Sequence, residues 1–242
     1  MATNMTASID RTVDDSAATL PVGLSLTGRT VKLVPLSPSH AEDLYECVGH
    51  PEQAHLWTYM AKGPFSDQAS FTEFITDLSK STDPIFYAIM DTHGKSIGFS
   101  SFLRIDLPNR VVEIGWLMFS PSLQRTTAAT EAIYLMARAA FDDLNFRRLE
   151  WKCDNLNVPS QKAAERFMFR REGLFRQHMI VKGRNRDTAW FSILDTEWMV
   201  VRRTLERWLD PSNFDEAGKQ RLAISNFKIP DEYLDVIGQL VV

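Results

Sequence analysis

The stretch that most constrains the fold is residues 85–154, where the apolar spacing switches from a period near two to one near 3.6 and back again. Ile85 to Met90 is a short apolar run, Asp91-Thr92-His93-Gly94-Lys95 is turn chemistry, and Ser96 to Leu103 resumes strand character, which predicts a hairpin. Val111 to Phe119 then alternates, with Val112, Ile114, Trp116 and Met118 on one face and Glu113 and Gly115 on the other. From Thr130 onward Ile133, Met136, Ala137, Ala140 and Phe141 hold the spacing of a core-facing helix. Leu149, Trp151 and Cys153 return to alternation against Glu150, Lys152 and Asp154. Three antiparallel strands followed by a strand-helix-strand crossover are therefore expected.

The flanks extend this pattern. A strand is predicted over Thr30 to Leu36, and Ser39 with Glu42 has the spacing of a capping box opening a helix through Val48. Ser66 and Asp67 offer a second N-cap before Phe71, Phe74, Ile75 and Leu78. Asn157 can cap a later helix with Pro159 in its tolerant first turn and Ala163, Ala164 and Phe167 buried. Strands over Leu174 to Val181 and Thr188 to Met199 flank a turn at 182–187, and helices are expected at Arg202 to Leu209 and Asp215 to Ile224. Residues 1–23 lack periodicity and read as a mobile arm, and the last residues form an apolar tail. The reading is an α/β chain of order βααβββαβαββ, with one domain over 24–200 and a C-terminal helical extension over 201–242.

Charge and composition narrow the function. With 27 basic and 31 acidic side chains the net charge is -4, which gives no general attraction to nucleic acid or anionic membrane. No apolar stretch is long enough to span a bilayer, and the start of the chain lacks a secretory signal pattern, so a cytoplasmic setting is expected. Two cysteines, Cys47 and Cys153, are too few for a disulfide framework or a zinc cluster, and no metal is expected.

The element order, together with the run Pro121 to Ala132, resembles the GNAT superfamily of acetyl-CoA-dependent acyltransferases. Asn157-Val158-Pro159-Ser160 and Phe169-Arg170-Arg171-Glu172-Gly173 are similar to stretches of its ribosomal-protein N-terminal acetyltransferase (Rim) branch. The resemblance implies a GNAT fold with a mixed, mostly antiparallel sheet, acetyl-CoA as cofactor and a primary amine as acceptor. It places Gln124, Arg125, Thr126, Thr127, Ala128, Ala129 and Thr130 at a pyrophosphate loop, where backbone N–H groups and a helix dipole meet the phosphates. Thr127 stands where the family has its first glycine: its Cβ crowds the pyrophosphate, or its hydroxyl, with those of Thr126 and Thr130, adds hydrogen bonds, the reading preferred here. Met168 stands where the branch has glycine.

Leu117, Met118 and Phe119 would offer main-chain groups to the pantetheine arm and thioester, and Asn157 would contact the same arm. Acetyl transfer to an amine needs a base and an acid. Glu113, on the strand leading into the loop, is the candidate base if burial raises its pKa, against the alternative of an exposed carboxylate. Ser160 is the candidate acid, or a first-turn residue of a capped helix. His55, Trp57 and Tyr59 lie where the family builds its acceptor pocket, although core packing accounts slightly better for that aromatic segment. His178, alone on a strand, reads as structural. The acceptor is expected to be a small molecule, with no nucleic acid or membrane partner and a homodimer left open. The alternatives are a protein N-terminal acetyltransferase and an inactive GNAT-like CoA-binding scaffold.

Overall fold

A computed structural model describes residues 12–228. Eight strands form one sheet in the order β1-β2-β3-β4-β5-β6-β8-β7. They are β1 (Leu26–Thr27), β2 (Lys32–Pro35), β3 (Ile85–Met90), β4 (Ser96–Asp106), β5 (Val111–Phe119), β6 (Arg148–Asp154), β7 (Arg170–Val181) and β8 (Arg184–Leu194). Every pairing is antiparallel except β5 with β6, the two strands joined by the crossover. The helices are α1 (Ala41–Leu44), which runs on as a π-turn over Tyr45–Gly49, α2 (Gln68–Ser79), α3 (Thr127–Arg138), α4 (Val158–Arg166) and α5 (Asp195–Leu209). A mixed, mostly antiparallel sheet flanked by helices is the α/β arrangement that the sequence predicts.

Two apolar clusters lie on opposite faces of the sheet. On one, α3 and α5 pack over Leu33, Ile89, Val112, Ile114, Leu149 and Phe191. On the other, α1 and α2 cover Leu36, Phe86, Phe99 and Met118, with Trp57 fully buried among them. The second cover stops at β5, so the β6, β7 and β8 half of that face carries polar and aromatic side chains instead. A carboxylate fastens the short β1–β2 turn: Glu131 of α3 accepts from the Arg29 and Thr30 amides at 2.8 and 2.6 Å. A Cβ on Gly28 would lie 2.5 Å from its carboxyl carbon, so a larger residue there would have to displace that carboxylate.

Several predicted boundaries move. Trp116 has φ 51°, a left-handed residue within β5, and the register with β4 shifts between Phe99 and Ser101. This bulge rotates the strand, so Val112 and Ile114 face α3 whereas Trp116 and Met118 face α2, and the single-face reading of these four residues is wrong. The strand expected to reach Met199 ends at Leu194, because the Glu197 carboxylate accepts the Leu194 amide at 2.9 Å and opens α5. Asp215–Ile224 is no helix: Phe214 bridges Gln220, and a 3-10 turn follows at Ile224–Asn226.

Ser37 stands at the entrance to the first helical segment, where Ser39 was expected, and its amide donates to His40 Nδ1 at 3.0 Å. The described part of the N-terminal arm is docked: Ala18 is buried in the α3-side cluster, its amide donates to Leu107 O at 3.1 Å, and the Tyr87 hydroxyl donates to Pro21 O. The apolar tail expected at the end of the chain lies outside the described residues.

Candidate active site

The parallel pairing of β5 with β6 is short. It consists of Val111 with Arg148, Val112 with Leu149 and Glu113 with Glu150, and there it stops. β5 runs on to Phe119 paired only with β4, and β6 runs on to Asp154 paired only with β8. The two strands therefore diverge from Glu113, leaving a wedge whose sides are unpaired strand edges. Leu117, Met118 and Phe119 line its β5 side. Gly98 of β4 allows the close approach on the far edge, since a Cβ there would come within 2.6 Å of Met118 O.

The turn between β5 and α3 lies next to this wedge. Arg125 adopts φ 64°, and Thr126 N-caps α3 with its hydroxyl accepting from the Ala129 amide at 3.2 Å. The Thr127 and Ala128 amides, the first two of the helix, have no acceptor among the described residues. Two hydroxyls expected to face phosphate are committed elsewhere. Thr126 Oγ1 donates to Leu123 O at 2.6 Å, and the buried Thr130 hydroxyl donates to Thr126 O at 3.4 Å while accepting from Arg166 Nη1 at 2.9 Å.

Of the three threonines, Thr127 alone keeps a hydroxyl without a partner among the described residues. Gln124 is exposed, and its side-chain amide donates to Phe119 O at 2.8 Å, which ties the turn to the end of β5. Arg166 of α4, absent from the sequence reading, adds a half-buried cation beside the first turn of α3. Met168 has φ 69°, a left-handed residue in the position where the resemblance expects glycine.

Glu113 is buried, at 6% exposure, where β5 and β6 part. Lys152 Nζ lies 3.0 Å from its Oε2 and 2.5 Å from Glu150 Oε2, and Arg104 Nε lies 3.4 Å from Glu113. The chain of charges continues through Arg148, which pairs with Glu150 at 2.7 Å and with Glu172 at 2.5 Å. Glu113 Oε2 is itself buried and faces both cations without a well-aligned hydrogen bond. Burial pushes the Glu113 carboxyl above its usual pKa, and Lys152 and then Arg104 pull it only part of the way back. The exposed-carboxylate alternative is thereby set aside. Alternation revealed the buried side of the strand but not Lys152 or Arg104, whose proximity comes from pairing across β4, β5 and β6.

Across the wedge, Asn157 N-caps α4 with its carbonyl oxygen accepting the Ser160 amide at 3.2 Å. Ser160 Oγ accepts from Trp151 Nε1 at 3.0 Å, an orientation that spends a lone pair of the hydroxyl and leaves its proton for another partner. The predicted pocket residues do not stay together. Trp57 is fully buried, its indole N–H donates to Val48 O at 2.7 Å, and its ring packs edge-on against Phe65, Phe71 and Phe74, so it belongs to the core and not to a pocket wall. His55 is exposed, and among the described residues nothing ties its ring to the wedge. Tyr59 is partly exposed, and its hydroxyl donates to Leu156 O at 2.9 Å, bridging to the turn before α4. Lys182 of the β7–β8 hairpin donates to Trp57 O at 2.9 Å, a second tie over the same end.

His178 is less isolated than its sequence position suggests. Its Nδ1 is 3.0 Å from Thr188 Oγ1, and its ring lies 6.0 Å from that of Trp190. Among the described residues no cluster could hold a metal ion, and no helix is long and apolar enough to cross a membrane.

Comparison with known proteins points to one family. The acetyltransferase (GNAT) domain family matches residues 30–170. A GCN5-related N-acetyltransferase from Brucella melitensis has a solved structure that is 43% identical, covers 88% of this chain and 97% of its own, and superposes with a TM-score of 0.85. A GNAT-family acetyltransferase structure from Chromobacterium violaceum is 34% identical over 82% of this chain and 100% of its own, with a TM-score of 0.74. A protein named as a putative ribosomal N-acetyltransferase from Bacillus subtilis is 27% identical over 70% of this chain and 92% of its own length.

Proposed function

Given that the chain belongs to the GNAT acetyltransferase family and is an N-acetyltransferase, we propose that it binds acetyl-CoA in the β5–β6 wedge and acetylates a primary amine of a small molecule. The observation that carries this reading is the pairing of the wedge with two donor-only amides, those of Thr127 and Ala128, at the start of a 12-residue helix. The donor set suits a diphosphate: two amides, the Thr127 hydroxyl and the exposed Arg125 guanidinium, with Arg166 nearby. The unpaired edge from Ile114 to Phe119 suits an amide-bearing arm, which needs a strand-like partner.

When bound, acetyl-CoA supplies an activated acetyl group on sulfur. The residues of the chain do the rest. Glu113, made more basic by its burial, takes the proton from the attacking amine. Lys152 and Arg104 limit that rise. Ser160, oriented by Trp151, gives its proton to the departing sulfur. The Tyr59 and Lys182 ties roof the acceptor end and restrict it to a small acceptor, more than an open trench for a folded protein would.

Incubating the chain with acetyl-CoA and a panel of small amines, with free thiol as the readout, tests the proposal. Turnover on one or more small amines and none on peptide N-termini is expected. Peptide-only turnover would transfer the acceptor to protein N-termini.

A further inference from the structure

Six basic residues and two acidic ones stand on the β7–β8 hairpin, residues 170–194, within a chain whose net charge is -4. Both acids are engaged. Glu172 takes Arg148 and the Ser192 hydroxyl, and Asp187 accepts from the Gln177 amide at 2.7 Å and from Asn185 Nδ2 at 3.0 Å. Arg186 is half-buried and has no carboxylate partner among the described residues, and its Nε donates to Thr188 Oγ1 at 3.1 Å. Thr188 is fully buried, so the guanidinium is held back along β8 and not left to sweep through solvent. The nearest acid in register, Asp154, is paired with Thr188 across β6 and β8, and its Oδ1 accepts the Leu156 amide at 2.8 Å.

Arg186 joins the proposed base through one continuous row on the same face of the sheet. Glu113 meets Lys152 at 3.0 Å, and Lys152 sits 3.8 Å from the centre of the Trp190 ring. Trp190 neighbours Phe175 and His178, with ring centres 4.5 and 6.0 Å apart, and His178 shares Thr188 Oγ1 with Arg186. Strand rise places Thr188 about 7 Å from Trp190 along β8. The row begins at a base, crosses an aromatic floor and ends at an unneutralised cation. The field at its far end is positive: after burial, the influences that lower the basicity of His178 are Arg104, Arg186 and Lys152.

We propose that the acceptor is an amine that also bears a carboxylate or phosphate, and that this anion docks between Arg186 and His178 while the amine reaches Glu113. The inference rests on the acetyl-transfer reading above and adds the charge class of the acceptor. A bidentate anion on Arg186 would complete the guanidinium's donors, one of which is already fixed by Thr188. The same cations disfavour strongly basic acceptors by like-charge repulsion. A plain alkylamine would leave Arg186 without its counter-charge and give up the orientation that the row provides.

The test compares amines matched for chain but not for charge and long enough to span the row: aminocaprylate with octylamine, and aminooctyl phosphate with aminooctanol. Thiol release is followed for the wild-type chain, R186Q and R186K, and acetyl-CoA binding is titrated in parallel. At least one anionic amine should show kcat/KM about 10-fold or more above its uncharged-tail partner. R186Q should erase that preference by raising KM, leaving kcat on the plain alkylamine and the acetyl-CoA affinity unchanged, and R186K should restore part of it. Which pair shows the preference separates carboxylate from phosphate. Equal rates within both pairs, or an equal loss on all amines in R186Q, overturns the inference. Acetyl-CoA binding without turnover of either anionic amine also overturns it and leaves the family assignment standing, whereas absence of acetyl-CoA binding defeats the reading on which it rests.

Discussion

Replacing Glu113 by glutamine separates a catalytic carboxylate from a structural counter-ion, because the two roles make opposite demands on stability. Lys152 at 3.0 Å attracts the carboxylate by about 5 kcal/mol at an effective dielectric near 20. Withdrawing an ion from water costs several kcal/mol, and the upward pKa of Glu113 shows that the burial cost exceeds the attraction. A carboxylate with a raised folded pKa binds more protons folded than unfolded, so its contribution to stability falls as pH rises through the window above its ordinary value. The neutral amide of a glutamine carries no such cost, and Lys152 would keep Glu150 at 2.5 Å.

E113Q should therefore match or exceed wild-type stability at pH 7, with the difference growing as pH is raised through that window, while kcat falls by about 10²–10⁴. The acid limb of the wild-type rate profile, where activity rises as Glu113 ionises, should vanish. Denaturant unfolding at several pH values and steady-state kinetics give both readings. A loss of about 3 kcal/mol or more with unchanged turnover would refute the reasoning and make Glu113 a structural partner of Lys152.

K152M should behave in the reverse sense, costing about 3–5 kcal/mol in denaturant unfolding by leaving two buried carboxylates without their shared cation, and moving the acid limb to higher pH. S160A should slow turnover by about 10–100-fold with acetyl-CoA affinity retained. Calorimetry and rates together expose a serine that only holds the Trp151 indole, whose loss would lower stability alone. W57A should destabilise the chain by about 3–5 kcal/mol in thermal or denaturant unfolding without a selective change in acceptor KM.

The secondary structure was legible because period is written locally: hairpin, crossover and capped α2 all follow from side-chain spacing and turn residues. What depends on a backbone that departs from its period was not. A left-handed Trp116 looks like any aromatic in an alternating run, yet it turns the last third of β5 over and separates Trp116 and Met118 from Val112 and Ile114. The end of β8 was misplaced because Ile193, Trp198 and Val201 satisfy apolar expectations in either state, and the deciding signal was the Glu197 carboxylate at helix-capping distance.

At the proposed site, the loop was named from the family resemblance and Glu113 from its strand. The charged side chains around them, Lys152, Arg104 and Arg166, arrive from other elements and carry no local mark. Trp57 shows the converse: an aromatic-rich connection reads equally as pocket or core, and only the filled space around the indole decides between them.

The first amides of α3 anchor the proposed acetyl-CoA site, and Thr127→Pro probes them with little disturbance. Position 127 is the first helical residue, and Thr126 before it is already extended at φ -100° and ψ 170°, so proline fits the helix while removing the amide and the hydroxyl together. Isothermal titration with acetyl-CoA should show saturable one-to-one binding for the wild-type chain, a loss of about 10-fold or more in affinity for T127P at unchanged melting temperature, and a few-fold loss for T127A, which keeps the amide. Equal affinity in wild type and T127P, or no binding by the wild-type chain, would contradict the wedge as the acetyl-CoA site.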